Sequence, residues 1–423
     1  MSALTDRIAA DFASTPHEPP GSGQAAVRRR AALEALAAGG LPGSRDENWK
    51  YANLRSLERA RFIPAPPAPA LPALGDLPAA LPAIARYVFV DGRFAPEASA
   101  PLGPAVRATP EAPATRAPRA DERFALLNQA FATDGLVIDI DERHGTPLQL
   151  EVLFVASAEA PSGASYPRLE VRLHPGAQLT LIERHLSATA GGSFVTSAVQ
   201  VDLARGARLE HYRLQELSAR STLFDTLSAS LAEDAAYRLH VVSTGAQSAR
   251  STLALRLLGE RADLALAVAA LGDRQQVQDG YAVVEHAAAN ARTVQTFRGI
   301  AAGRARVAFN GKIIVAPGAH GTDSRQSLRG LLAGPEAEID VRPQLEIYND
   351  DVRCSHGATA GKLDDNMLFY LLSRGLDRDT AQRLLKWAFL EDVISQVTLP
   401  PLRRQIEERL AGHLRDDALR ELL

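Results

Sequence analysis

Leu203-Ala-Arg-Gly-Ala207-Arg-Leu209 is the stretch that decides the fold, because the chain repeats its grammar. An apolar residue ends a strand, the chain turns through Gly or Asp, a small alanine follows, and an alternating strand resumes. The same order returns in Leu173-His-Pro-Gly-Ala177-Gln-Leu-Thr-Leu181, Leu231-Ala-Glu-Asp-Ala235-Ala-Tyr-Arg-Leu239 and Leu258-Gly-Glu-Arg-Ala262-Asp-Leu-Ala-Leu266. It returns again in Ile300-Ala-Ala-Gly-Arg-Ala305-Arg-Val307-Ala-Phe309 and Leu332-Ala-Gly-Pro-Glu-Ala337-Glu-Ile-Asp-Val341. The turn residues Gly176, Gly206, Asp234, Gly259, Gly303 and Gly334 stand 30, 28, 25, 44 and 31 residues apart, a loose period with one longer excursion. A unit of this kind can stack on copies of itself, each strand pairing above and below while its inner face fills a narrow core. The expected core, residues 121–350, is therefore a parallel β-helix. A β-sandwich or barrel also alternates and turns often; it would call for more hairpin signals than the Asn310-Gly311 pair supplies.

The flanks differ in character. Residues 1–62 form an N-terminal helical region in which Val27 to Leu36 is rich in helix formers and is stopped by Gly39-Gly40 and Pro42. The Arg28 to Arg30 run reads as a solvated helix face. Residues 63–120 form a connector: 13 of the 26 prolines lie between Pro64 and Pro118, leaving Arg86 to Arg93 as its one clear strand and turn. Residues 351–423 form a C-terminal helical domain. Asp364 caps its first helix, which ends at Gly375; Asp377 caps a second with Ala381, Leu384, Leu385, Ala388 and Phe389 on one stripe, stopped by Pro400-Pro401; a third runs from about Leu402 to Leu414.

Composition narrows the function. Forty-seven Lys plus Arg against 50 Asp plus Glu gives a net charge of −3, without the basic field that nucleic acid requires. Met1 to Phe12 carries Asp6, Arg7 and Asp11 and does not read as a secretory signal, and no apolar run is long enough to span a bilayer, so the expected location is cytoplasmic with no membrane partner. The chain lacks a phosphate-binding glycine loop, a nucleophile elbow and a zincin helix, so no catalytic residues are assigned and the protein is expected not to be an enzyme. His174, His185, His211, His240 and His286 read as single surface or edge residues without function. Cys354, the one cysteine, excludes an intrachain disulfide and any four-cysteine site built by this chain alone. The exception among the histidines is Cys354-Ser355-His356. In an extended segment residues 354 and 356 face one side roughly 7 Å apart, so a thiolate and an imidazole can address one metal. Two ligands are too few without a partner, and a buried thiol beside a packed histidine is the structural alternative.

The run from Gln344 through Cys354-Ser-His356 to Asp364, continued by Leu368-Phe-Tyr-Leu-Leu-Ser-Arg-Gly375, resembles the C-terminal signature of the SufB/SufD family of the SUF iron–sulfur assembly system. Phe309-Asn-Gly-Lys-Ile313 and the Thr322 to Leu332 stretch with Gln326 are similar to the family's last core rungs, and Asn48-Trp-Lys-Tyr51 to an N-terminal motif of its D-type branch. The single cysteine points to the same branch, since B-type subunits carry several. The resemblance implies a right-handed parallel β-helix between helical regions and a scaffold that pairs through its β-helix with a SufB-type paralogue. It also implies a SufC-type ATPase docked on the C-terminal helices, with the Leu384 to Phe389 stripe as candidate surface. His356 then corresponds to a ligand for iron or a nascent Fe–S cluster at the shared interface, and Cys354 to its neighbour; no cofactor is held stably by this chain alone. A homodimer in isolation is one alternative. Two further readings stay open: a carbohydrate-active β-helix enzyme, and an interaction scaffold without a metal role.

Overall fold

The structure, a computed structural model, describes residues 3–15, 23–43, 46–68, 77–109, 122–141 and 147–414. Its centre is a parallel β-solenoid in which the chain alternates between two long sheets. Sheet I runs from Ala85–Val90 through Leu148–Ala156 and Gln178–Ser187 to Thr322–Leu332 and Val352–Gly361. Sheet II runs from Val106–Thr109 and Gly135–Ile140 to Arg306–Val315 and Glu338–Ile347. In sheet I the register partners Arg208, Ala236, Asp263, Arg292 and Asp323 stand 28, 27, 29 and 31 residues apart. One core lies between the sheets and is built from inward columns such as Leu203, Leu231, Leu257, His286 and Val315.

The corners explain the repeat. Where the chain passes from sheet II to sheet I, Ala177, Ala207, Ala235, Ala262, Ala291 and Ala319 are all buried and stacked, since a larger side chain would not fit inside so tight a bend. The Ala207 N–H closes its turn on the Ala204 carbonyl at 3.0 Å, and Ala235 and Ala319 do the same on Ala232 and Ala316. At five of these six corners, all but that of Ala319, the residue before the alanine takes a positive φ, +67° at Gly206 and +55° at Asp234. At the next corner Arg261, at +57°, occupies this position rather than Gly259. The 44-residue excursion also has a plain origin: Gly303 and Gly334 belong to the opposite corner, from sheet I to sheet II, and the skipped turn is made by Asn290 at +57°. Asn310-Gly311 is no hairpin but the middle of a strand, where an added Cβ would lie 2.8 Å from Gln295 Oε1 and 2.9 Å from Gln326 Nε2.

Helices cover both outer faces. Helices α1 (Ala3–Ser14), α2 (Gly23–Gly39) and α3 (Arg123–Phe131) pack on sheet II around Phe62, Phe124, Phe194 and Phe224. The Phe124 and Phe224 rings stack with centroids 4.0 Å apart. Within the Arg28 to Arg30 run, Arg29 is buried and donates to the Ala132 carbonyl at 2.7 Å, so that face is not wholly solvated. The connector contains more than one strand: Ala85–Val90, Arg93–Phe94 and Val106–Thr109 all join the sheets. Its residues 69–76 and 110–120 lie outside the described residues, as do 415–423 of the expected tail.

Helices α4 (Asp365–Ser373), α5 (Arg378–Ile394) and α6 (Pro400–Leu414) form the C-terminal region. Asp364 accepts from the Asn366 and Met367 N–H groups and Asp377 from that of Thr380, as their cap positions imply. Pro400 opens α6 rather than stopping α5, in keeping with its free N1 position. Instead of trailing from the solenoid, α5 and α6 fold back along the outer face of sheet I, burying Leu390, Val393, Ile394, Leu402, Ile406 and Leu410 against it. Arg298 to Asp392 at 2.8 Å and Arg409 to Glu216 at 2.7 Å pin them there. Among the described residues no helix is long and apolar enough to cross a membrane.

Candidate functional site

Among the described residues each sheet ends on a strand with one free edge: Glu338–Ile347 pairs only with Arg306–Val315, and Val352–Gly361 only with Thr322–Leu332. The last strand extends the solenoid to residue 361, so Cys354 and His356 belong to its terminal rung rather than to a junction with a helical domain starting at 351. The register places Cys354 above Ser324 and His356 above Gln326, both in inward columns. Below His356 that column holds Gln326, Gln295, Leu266 and Leu239; below Cys354 it holds Ser324, Thr293 and Leu264. Cys354 is half-buried and packs on the core beside Leu345 and Val352, whereas His356 is exposed. Alternation sets the two side chains on one face, roughly 7 Å apart between Cα atoms.

Burial pushes the Cys354 thiol up, the nearby Asp323 carboxylate adds to the effect, and a hydrogen bond from the Ser324 backbone opposes it. The isolated thiol is thus protonated at neutral pH and becomes a thiolate when a metal displaces the proton. Thiolate sulfur and imidazole nitrogen form a donor pair suited to iron. Among the described residues no group of three or more His, Cys, Asp or Glu side chains is gathered to hold a metal ion.

Sequence reasoning missed the buried charges of the solenoid interior. Burial alone would raise the Glu183 carboxyl, but Arg213 and hydrogen bonds from His185, His211 and Arg213 hold it well below the usual range. His185 Nε2 lies 2.6 Å and His211 Nε2 3.1 Å from this carboxylate, while Arg213 bridges it to Asp225 at 2.8 Å. His211 is kept neutral by burial, so its Nε2–H donates to Glu183 and its Nδ1 accepts from the Tyr237 hydroxyl at 3.0 Å. His240 and His286 are buried as well, and of the five scattered histidines only His174 is exposed, against Asp139 at 2.8 Å. Alternation signalled strands at these positions; a single His in an apolar column carries no mark of the polar partner on the next rung.

Two outer surfaces stand out. On α4 and α5, Met367, Phe369, Tyr370 and Leu384 are exposed, Phe369 by 72%. The α5 stripe is divided: Ala381 faces the interior, Leu385 and Phe389 are half-buried, and Leu384 and Ala388 face solvent. On sheet II a cleft of about 680 Å³ lies beside Trp49. Of its five carboxylates, Asp46, Glu47 and Glu285 are engaged by Arg123, Arg342 and Arg256 at 3.4, 2.6 and 2.8 Å, while Glu122 accepts from the Ser228 hydroxyl at 2.8 Å and Asp202 from the Gln200 amide at 3.1 Å.

Comparison with known proteins adds the family. Residues 154–389 match the model for the SufBD core domain of SUF-system FeS cluster assembly. The chain is 31% identical over 387 residues to the iron–sulfur cluster assembly protein SufD of Escherichia coli, covering 90% of this chain and 91% of that one. An iron–sulfur cluster assembly SufBD family protein of Synechocystis is 27% identical over 406 residues, 90% of this chain and 89% of its own. The chloroplastic protein ABCI7 of Arabidopsis thaliana is 28% identical over 69% of this chain and 63% of its own.

Proposed function

The chain belongs to the SufB/SufD family of iron–sulfur cluster assembly proteins, and from that premise we propose that it is a non-catalytic scaffold subunit whose terminal rung lends Cys354 and His356 to a site shared with a SufB-type partner. The observation that carries this reading is the open end of the solenoid. Two strands there expose unpaired backbone edges, and the donor pair stands inside that same end with too few ligands to act alone. A free strand edge is a template for pairing with another chain, so joining a second solenoid end to end would satisfy the backbone and complete the ligand set together. Iron or a nascent cluster is cargo at such a seam and not a resident cofactor.

The exposed Met367, Phe369, Tyr370 and Leu384 are the surface assigned to a SufC-type ATPase. Helix α4 follows the ligand strand directly, with only Lys362, Leu363 and the Asp364 cap between them, and packs on α5. A nucleotide-driven movement of the ATPase would therefore act on the terminal rung through a short connection. Asp392 on α5, held by Arg298, ties the other end of this lever to sheet I.

The test is co-expression with the SufB-type and SufC-type subunits, followed by native mass and by cluster maturation in cells. The wild-type chain should enter a complex containing both partners, and His356→Ala should assemble equally well while maturing clusters more slowly. Normal maturation by a fully assembled His356→Ala complex would leave a metal-free interaction scaffold as the correct reading.

A further inference from the structure

The amides beneath His356 form a ladder. Gln326 Nε2 donates down its column to Gln295 Oε1 at 2.8 Å and across the solenoid to the Gly311 carbonyl at 3.0 Å. Both amide hydrogens are thereby used, which fixes which end of the Gln326 amide is nitrogen. The Oε1 of the same amide is buried and has no hydrogen-bond partner among the described residues. A planar amide whose nitrogen faces the rung beneath turns its oxygen toward the rung above. Stacked glutamines repeat this pattern at the strand spacing of about 4.8 Å, each oxygen meeting the next donor. The next residue in register is not a glutamine but His356.

We propose that Gln326 is the positioning residue for His356. In this structure the exposed His356 ring makes no bond to that oxygen; turned down over its own column, the ring would donate one N–H to Oε1, which would hold the imidazole in a single tautomer and leave the lone pair of the other nitrogen for iron at the open end. The inference rests on the ligand role given above to His356. Gly311 belongs to the same device, because any side chain there would occupy the space of the two glutamine amides. An acceptor behind a ligating imidazole orients the ring and raises its basicity, and removing such a partner typically weakens metal binding 10- to 100-fold.

Selective ¹⁵N-histidine NMR of the full chain reads the tautomer, with the His356 signals identified by their loss in His356→Gln. Fe(II) binding is measured on the complex with the SufB-type and SufC-type subunits. Wild type should show one His356 tautomer. Gln326→Leu, a residue the column already accepts at Leu239 and Leu266, should average the two tautomers and weaken Fe(II) binding roughly tenfold. Gln295→Leu, one rung lower, should leave both readouts at wild type, because the Gly311 carbonyl still holds the Gln326 amide nitrogen. The proposal is overturned by tautomer averaging in the wild type, or by Gln295→Leu acting as strongly as Gln326→Leu, which would mark the ladder as purely structural. Should His356→Gln bind Fe(II) as well as wild type, the ligand role fails, while the ring signals still decide whether Gln326 holds the imidazole.

Discussion

Replacing His286 by leucine should make the solenoid markedly less sensitive to acid. His286 is fully buried in an inward corner column between Leu257 and Val315, its Nε2 sits 2.9 Å from the Thr293 hydroxyl, and its Nδ1 has no partner among the described residues. Burial lowers its pKa to about 4 from an ordinary 6.5. The unfolded chain therefore takes up a proton near pH 6.5 while the folded one refuses it until about 4. Stability is complete above 6.5 and is lost as pH falls through that window, with no further loss from this group below it. At 1.36 kcal/mol per unit the total is about 3 kcal/mol, of which about 2.5 kcal/mol is gone by pH 4.5. His286→Leu fits the column without a new cavity and removes both the proton uptake and an unsatisfied nitrogen. Urea midpoints at pH 7.5 and 4.5 check this. With a slope of about 3 kcal/mol per molar, the acid-induced fall in midpoint should be roughly 0.8 M smaller in the variant. An equal fall in both proteins would refute a neutral, buried His286.

Arg250 lies between the Trp49 and Tyr281 rings at 4.4 and 5.3 Å, and it joins Asp279 to the Asn48 carbonyl at 2.5 and 2.7 Å. Arg250→Met should cost about 3 kcal/mol or more by stranding the Asp279 carboxylate, and should expose the segment around Trp49 to limited proteolysis; an unchanged cleavage pattern would count against this clamp. Gly311→Ala should lower stability by about 1–3 kcal/mol through overpacking against Gln295 and Gln326, visible as a fall in Tm, and an unaltered Tm would show the interior is looser than described. Phe369→Asp should weaken capture of the SufC-type ATPase at least tenfold with no change in the Tm of the isolated chain, whereas undiminished capture would move the docking surface elsewhere.

What could be read from the sequence followed the strength of the local constraint. The corner alanines were legible because a tight bend between stacked strands admits little else, and each recurs in a fixed frame of apolar neighbours. The turn residue itself was less so: Asp234, Arg261 and Asn290 tolerate the left-handed conformation that glycine favours, so Gly259 attracted attention that belonged two residues later. Merging two kinds of corner into one series then made a regular repeat look interrupted. The strand Val352–Gly361 escaped notice because an end rung has no neighbour to fill its interior; Cys354, His356 and Ala358 stand in columns whose deeper rungs carry Leu264, Leu266 and Val268. That Cys354 and His356 share one face was nonetheless legible from spacing, since period-two alternation needs no core to hold; the ligand role proposed for them came from the family resemblance. The fold-back of α5 and α6 was out of reach, for an apolar stripe says that a face is covered and not by what; the stripe read from Leu384 to Phe389 in fact divides between half-buried and solvent-facing positions.

The most direct measurement of the seam uses the chain's only thiol. Cys354 alkylation should proceed in the isolated chain and be strongly slowed in the complex with the SufB-type subunit, with a short thiol-to-amine cross-linker joining it to that subunit. Equal alkylation rates with and without the partner, or cross-links that join Cys354 only to this chain's own residues, would contradict a terminal rung that meets another scaffold.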